Sequence, residues 1–276
     1  MRAVITGGSS GIGFATAQVL GREGYEIIVV SFDEKQQEPT LKALAEEGIK
    51  ASYYLCDVTK EESVNETFAR ISEKADSVDL LVNAVGGLGG RHEITDMPTE
   101  FMRKVMALNF DSVFFVTRAC LPLLKKGTNP SIVNFSTIAV TSGGGPGAAI
   151  YSASKGAVQS YTRGLAKDLV QFGIRVNAVS PGTIDTPFHA ATARELVESW
   201  KAGIPMGRLG EASEVATVIK FLASPDASYI TGEVIQINGG QAFIEGGKPW
   251  FYTMTRSYPP LRPLALPGVS WPGVEP

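Results

Sequence analysis

The sequence predicts an α/β fold: a doubly wound, mostly parallel sheet of seven strands with helices on both faces. Three observations predict it. Short β-branched runs alternate with longer helical patterns along 276 residues. The runs are apolar throughout rather than at every second residue, as strands covered on both faces are. Repeated βα units with right-handed crossovers build such a sheet.

The elements follow in order. Ala3–Thr6 is a clipped apolar strand, and a helix follows from about Gly11 to Arg22. Glu26–Ser31 is the second strand, and helical sequence through Pro39–Glu47 leads to the third, Ala51–Leu55. Glu61–Lys74 reads as helix and Val78–Val82 as strand. Pro98–Lys125 is long enough for one full helix before strand Ser131–Phe135. Ile150–Phe172 is a helix, Ile174–Val179 a strand, Ala212–Ala223 a helix and Glu233–Ile237 the last strand. Ligands of such sheets bind beyond the carboxyl ends of the strands. Chemistry is therefore expected in the loops after strands one, four, five and six. Residues 1–243 read as a single domain. From Glu245 onward Pro249, Trp250, Phe251, Tyr252, Pro259, Pro260, Trp271 and Pro272 crowd together. So many prolines exclude regular helix or central strand, and 244–276 reads as an extended tail.

Composition narrows the class. The chain is 44% hydrophobic and 19% charged, ample for one core. A net charge of −3 offers no basic face for nucleic acid. The two cysteines, Cys56 and Cys120, are far apart and read as reduced thiols. His92 and His189 lack ligand spacing, so no metal is expected. No stretch approaches the roughly 20 apolar residues of a membrane span. The motif at Thr6 leaves no room for a signal peptide, and a cytoplasmic protein is expected.

Two motifs carry chemistry. Thr6-Gly7-Gly8-Ser9-Ser10-Gly11-Ile12-Gly13 joins the first strand to the first helix. Glycines allow a tight turn and close approach of the backbone to a pyrophosphate, which the helix N-terminus then favours. The spacing is Gly-x-x-x-Gly-x-Gly rather than Gly-x-Gly-x-x-Gly, and a glycine-rich turn is also simply a turn. Tyr151-Ser152-Ala153-Ser154-Lys155 opens a long helix, with Tyr151 and Lys155 on one face. A phenol near pKa ~10 is too weak an acid for work at neutrality. An ammonium at ~4 Å lowers it by up to about 3 units, enough for general acid–base catalysis. The plainer reading of this pair is a half-buried tyrosine beside a surface lysine.

Together these motifs resemble the short-chain dehydrogenase/reductase family, in its 3-oxoacyl-carrier-protein-reductase-like branch. The resemblance covers about residues 2–243. Its motifs run in order: Thr6–Gly13, Asp57, Asn83-Ala84-Val85-Gly86, Asn109, Ser136-Thr137, Tyr151–Lys155 and Ser180-Pro181-Gly182. It implies a Rossmann-like fold and an NAD(P)-dependent oxidoreductase. Hydride moves between the nicotinamide and a ketone or secondary alcohol, with Tyr151 as general acid/base. It implies that Lys155 holds the nicotinamide ribose and depresses the tyrosine pKa, and that Asn109 holds a relay water. By the same resemblance Gly7, Ser9, Ser10, Gly11, Ile12 and Gly13 hold the pyrophosphate, and Ser31 and Phe32 meet the ribose. Asp57 and Val58 meet the adenine, and Asn83, Ala84 and Gly86 support the adenosine side. Pro181, Gly182, Ile184 and Thr186 bracket the nicotinamide. A homotetramer or homodimer is implied as well.

The departures are local. The family's substrate-orienting serine aligns with Thr137, fourteen residues before Tyr151 where the family has thirteen, so Ser142–Gly147 holds an extra residue. Thr137 is favoured and Ser136 is the fallback, since adjacent strand residues face opposite ways. An acid at the end of strand two would hold NAD and repel the NADP phosphate. Ser31 stands there, so NADP(H) is favoured over NAD(H), with Asp33 close enough to swing in. Arg91, His92, His189 and Arg194 lie in segments expected to line the substrate pocket. A cation there suits a carboxylate, as in a keto acid or sugar acid; solvated loop residues are the plainer reading. The tail is expected to pack on a neighbouring subunit or over the cleft. The rival to an enzyme is a non-catalytic nucleotide-binding scaffold or sensor on the same fold.

Overall fold

The computed structural model describes residues 1–187 and 194–242. His189 and the extension 244–276 lie outside the described residues, as does the side chain of Arg194. Seven strands form one sheet: β1 (Arg2–Thr6), β2 (Glu26–Ser31), β3 (Ala51–Leu55), β4 (Leu80–Asn83), β5 (Ser131–Phe135), β6 (Arg175–Pro181) and β9 (Val234–Ile237). Their order is β3-β2-β1-β4-β5-β6-β9, and every pairing is parallel. A second pair, β7 (Ile184–Asp185) and β8 (Gly210–Glu211), lies beyond the carboxyl end of β6. The helices are α1 (Gly11–Arg22), α2 (Gln37–Glu46), α3 (Glu61–Ser72), α4 (Thr99–Met106), α5 (Ser112–Leu124), α6 (Ala139–Ser142), α7 (Ala149–Leu169), α8 (Arg194–Ala202) and α9 (Ala212–Ala223).

The continuous apolar runs have the cause the sequence suggested. Val4, Ile28, Val30, Leu81, Ile132 and Val176 point to one face and pack with residues of α3, α5 and α7. Ala3, Ile5, Ile27, Val29, Leu80, Val82 and Val133 point to the other, where α1, α2 and α9 cover them. Each fully buried Leu or Ile contributes roughly 1.5–3 kcal/mol. Two-sided burial selects β-branched side chains at successive positions and makes the sheet a rigid platform. Strand order reverses about β1, which has β2 on one side and β4 on the other. Loops leaving β1 and β4 there part to opposite faces and open a crevice.

Three expectations are corrected. β4 starts at Leu80 rather than Val78, because the Val78 amide bonds the Leu123 carbonyl at the end of α5 (3.1 Å) rather than a strand. The single helix expected over Pro98–Lys125 is broken by a π-helical turn, Ala107–Asp111. Inside it Asn109 Nδ2 donates to the Val105 carbonyl four residues back (2.9 Å), competing with the bond an α-helix would make there. Lastly, Thr99–Leu124 is long and apolar enough by composition to cross a membrane, which the sequence reading missed. Val116, Cys120, Leu123 and Leu124 bury it in the sheet's core, as in the central helix of a folded domain.

Candidate active site

Residues singled out in the sequence gather along the carboxyl edge of the sheet. Gly7 to Gly13 link β1 to α1. Ser31 ends β2 and Phe32 follows it; Asp57 and Val58 follow β3. Asn83 ends β4, with Ala84 and Gly86 after it. Ser136 and Thr137 follow β5, and Tyr151 and Lys155 stand in the first turns of α7. Pro181 ends β6, with Gly182, Ile184 and Thr186 beyond.

The glycine loop is shaped for an anion. α1 packs so closely on the loop that a Cβ at Gly13 would overlap the Gly7 carbonyl. Ser10 caps α1 in extended conformation, its side chain accepts no bond from the first turn, and no acidic residue sits there. The first amides of α1 are thus left for an incoming negative group. The Thr6 hydroxyl fastens this loop to the next by accepting from the amides of Ala84 (3.1 Å) and Val85 (3.4 Å). Across the crevice, a Cβ at Gly11 would touch Thr186 at 3.6 Å. These residues fit a dinucleotide pyrophosphate lying over α1.

At the end of β2 the hydroxyls of Ser9 and Ser31 lie 3.0 Å apart. Asp33 does not swing toward them: its Oδ1 accepts from the Lys35 amide (3.0 Å). Its carbonyl accepts from the Tyr53 hydroxyl (2.5 Å). Phe32 is 80% exposed, an apolar plate at the rim. The Asp57 carboxylate binds the Thr59 amide (3.1 Å) and hydroxyl (2.6 Å) and pairs with Lys60 (3.1 Å). Burial raises its pKa, and these bonds more than reverse that, leaving it below the usual carboxylate value. Asn83 lies beneath the site. Its amide donates to Thr117 (3.2 Å) and Asn134 (2.9 Å), tying β4 to α5 and β5.

Around α7 the side chains interlock. Asn109 is fully buried. It accepts from the Gly87 amide (3.0 Å) and donates to the Gly87 carbonyl (2.9 Å), pinning the loop after β4. A Cβ at Gly86 would lie 2.5 Å from Lys155 Nζ and 2.8 Å from Asn109 Oδ1, so glycine here makes room for both. Lys155 is only 3% exposed, and its Nζ donates to the Phe135 carbonyl (3.0 Å). Burial lowers its pKa to about 8. The Thr137 hydroxyl faces the Tyr151 phenol closely enough to hold its pKa down in part, whereas Ser136 turns away and accepts from Gln159 Nε2 (2.8 Å). The two are not consecutive strand residues, since β5 ends at Phe135; they diverge in the turn that follows.

Two expectations fail here. The Tyr151 pKa is raised, not lowered: burial disfavours the phenolate, and the neighbouring Thr137 hydroxyl offsets only part of that. Lys155 spends its proton on a carbonyl instead. Arg91 is not a free cation facing substrate either. Its Nη1 donates to the carbonyls of Gly144 (3.2 Å) and Pro146 (2.6 Å), while the His92 ring stacks on Phe101 at 4.4 Å. Sequence reasoning missed Phe135, Gly87 and Gln159, because backbone acceptors and a mid-helix glutamine carry no motif. It also missed Gln241, whose Oε1 accepts from the Thr183 amide (3.1 Å) and holds the loop after β6.

A parallel sheet with a phosphate-shaped crevice and a Tyr–Lys helix defines a dinucleotide-binding oxidoreductase. A family model described as enoyl-(acyl carrier protein) reductase matches residues 7–242. The chain is 38% identical over 239 residues to the 3-oxoacyl-[acyl-carrier-protein] reductase FabG of Thermotoga maritima, covering 86% of this chain and 96% of that one. Among solved structures it is similar to an NADH-dependent reductase responsible for alginate metabolism. That match has a TM-score of 0.80 and 34% identity, over 88% of this chain and 97% of the other. It is similar also to an actinorhodin polyketide ketoreductase with NADPH, at TM-score 0.82 and 34% identity, over 87% and 96%. The chain belongs to the short-chain dehydrogenase/reductase family and is an NAD(P)-dependent enzyme of its 3-oxoacyl-reductase-like branch.

Proposed function

We propose that the enzyme reduces a small polar ketone with NADPH, or runs the reverse oxidation, with Tyr151 as general acid/base. The observation that carries this reading is Tyr151 at the start of α7, one turn before a Lys155 that is buried against Gly86 and Asn109 at the carboxyl edge of the sheet. Nicotinamide, when bound, supplies the hydride to the carbonyl carbon. Tyr151 delivers the proton to the carbonyl oxygen, and Thr137 orients that oxygen. Its high pKa in this arrangement keeps Tyr151 protonated and ready to donate. Lys155 and Asn109 face the Gly86 turn, where they would hold the nicotinamide ribose and a relay water. Ile184 and Thr186 border the nicotinamide end.

The paired hydroxyls of Ser9 and Ser31, with Asp33 committed to a turn, favour the 2′-phosphate of NADPH. Relatives bear names of both preferences. A keto acid or a sugar remains the substrate class, although Arg91, bonded to the carbonyls of Gly144 and Pro146, is not the carboxylate reader. Free buried thiols at Cys56 and Cys120 fit a reducing cytoplasm. A homotetramer or homodimer would use the aromatic face shared by the π turn, α5 and α7, where Phe110 meets Tyr161 edge-on at 5.6 Å and Phe114 lies tilted against it at 6.2 Å. We read residues 1–243 as one catalytic domain.

The test is a titration of NADPH and NADH, followed by turnover of a ketone panel by wild type and Tyr151→Phe. Tighter NADPH and a loss of about 10²–10⁴ in kcat with unchanged cofactor affinity are expected. Wild-type turnover by Tyr151→Phe would remove the proton donor from this reading.

A further inference from the structure

We propose that Arg91 is a positioning residue: it clips the glycine loop 142–147 and so keeps Thr137 set against Tyr151. This rests on the reading of that pair as the reacting groups. The loop is the segment that carries the extra residue, and its own ties are short-range: the Gly143 amide to the Ala139 carbonyl (2.8 Å), the Gly144 amide to Ser142 Oγ (3.3 Å) and the Ala148 amide to the Gly145 carbonyl (3.2 Å). Gly143, Gly144, Gly145 and Gly147 all sit at φ between 71° and 77°, where side-chain-bearing residues are strained. Such a stretch loses much conformational freedom when ordered and buries no side chains in return.

Cross-links from the loop after β4 supply what is missing. Arg91 Nη1 donates to the carbonyls of Gly144 and Pro146 (3.2 and 2.6 Å), two bonds from one nitrogen of the planar guanidinium. The neighbouring His92 amide donates to the Gly147 carbonyl (3.2 Å). A Cβ on Gly147 would meet Arg91 Cβ at 2.9 Å, so the two segments lie flush. His92 fixes the base of the clip by stacking on Phe101 of α4 (4.4 Å).

From the loop the constraint passes to the pair. A Cβ on Gly144 would sit 3.0 Å from Ala139 Cβ and 3.1 Å from Ala148 Cβ, so Gly144 is wedged between α6 and the start of α7. The Ala139 amide donates to Thr137 Oγ1 (3.3 Å). The Ala139 carbonyl accepts from Ser152, next to Tyr151 (2.7 Å). Thr137, α6, the loop and Tyr151 therefore form one chain of contacts, fastened from outside by the exposed Arg91 guanidinium and the His92 amide.

The test compares wild type, Arg91→Ala, Arg91→Lys and the remote surface control Lys42→Gln in α2. Amide hydrogen exchange is read over 143–148, and the ¹³Cζ NMR signal of Tyr151 is assigned by its loss in Tyr151→Phe. Arg91→Ala is expected to exchange about tenfold faster in this loop. Its Tyr151 signal should move toward that of Thr137→Val, with Arg91→Lys between and the control unchanged. An unmoved Tyr151 signal in Arg91→Ala, where Thr137→Val does move it, would overturn the proposal, as would unchanged exchange. Turnover of ethyl acetoacetate with NADPH separates the two readings. An active Tyr151→Phe sinks the proton-donor reading and leaves the clip to be judged by exchange and NMR alone.

Discussion

Ser136 and Thr137 are adjacent in sequence and opposite in consequence. Thr137 faces the phenol proposed as proton donor, while Ser136 accepts from the half-buried Gln159 of α7. Exchange of each hydroxyl should therefore separate rate from stability. Thr137→Val is expected to lower kcat by roughly 10²–10³, the usual cost of losing one hydrogen bond to a developing oxyanion. Thr137→Ser should stay within a few-fold of wild type. Ser136→Ala leaves the Gln159 amide unpaired and should cost about 1–2 kcal/mol of stability with kcat almost unchanged. Steady-state kinetics and urea melts on the three variants decide it. An equal kcat loss in Ser136→Ala would move the orienting role to the other hydroxyl.

Elements were legible to the extent that their cause is local. Two-sided burial writes itself as unbroken runs such as Ile27–Val30, so all seven sheet strands can be read from the chain. Strand ends depend on partners and shift by a residue or two, as at Val78, whose amide belongs to the end of α5. The π turn was illegible because Ala107–Asp111 has ordinary helix composition. What widens it is the Asn109 side chain reaching the Gly87 backbone, a contact distant in sequence. Within the site, Tyr151 and Lys155 could be found by spacing, but not the burial that reverses their electrostatics. The loop after β4 offers the matching test. Gly86→Ala would push a methyl against Lys155 Nζ and Asn109 Oδ1, groups that α7 and the π turn hold in place. Lost cofactor affinity of about tenfold or more is expected, with a far-ultraviolet spectrum like that of wild type. Unchanged affinity would mean that Lys155 swings aside freely.

Over the whole molecule, the buried Lys155 couples folding to pH. Its pKa is lowered from 10.5 to about 8 in the folded protein. Below pH 8 both states carry the proton, and the native state bears the full penalty of burying the charge. Between about pH 8 and 10.5 the unfolded chain holds more protons than the native one, so stability rises with pH. At 1.36 kcal/mol per unit the recovery is about 3 kcal/mol. Tyr151 and Cys120 act the other way at high pH, since burial raises both and the unfolded chain loses those protons first. The difference between wild type and Lys155→Met isolates the lysine, because the other two groups stand in both proteins. Urea melts from pH 7 to 10 should find Lys155→Met more stable at pH 7, with the gap closing as pH rises past 8. A gap independent of pH would place the ammonium in contact with water rather than behind the Gly86 turn. The same lysine would then be too well solvated to need the dinucleotide to complete its surroundings. A positive result would make cofactor binding the step that settles a charge which folding alone leaves strained.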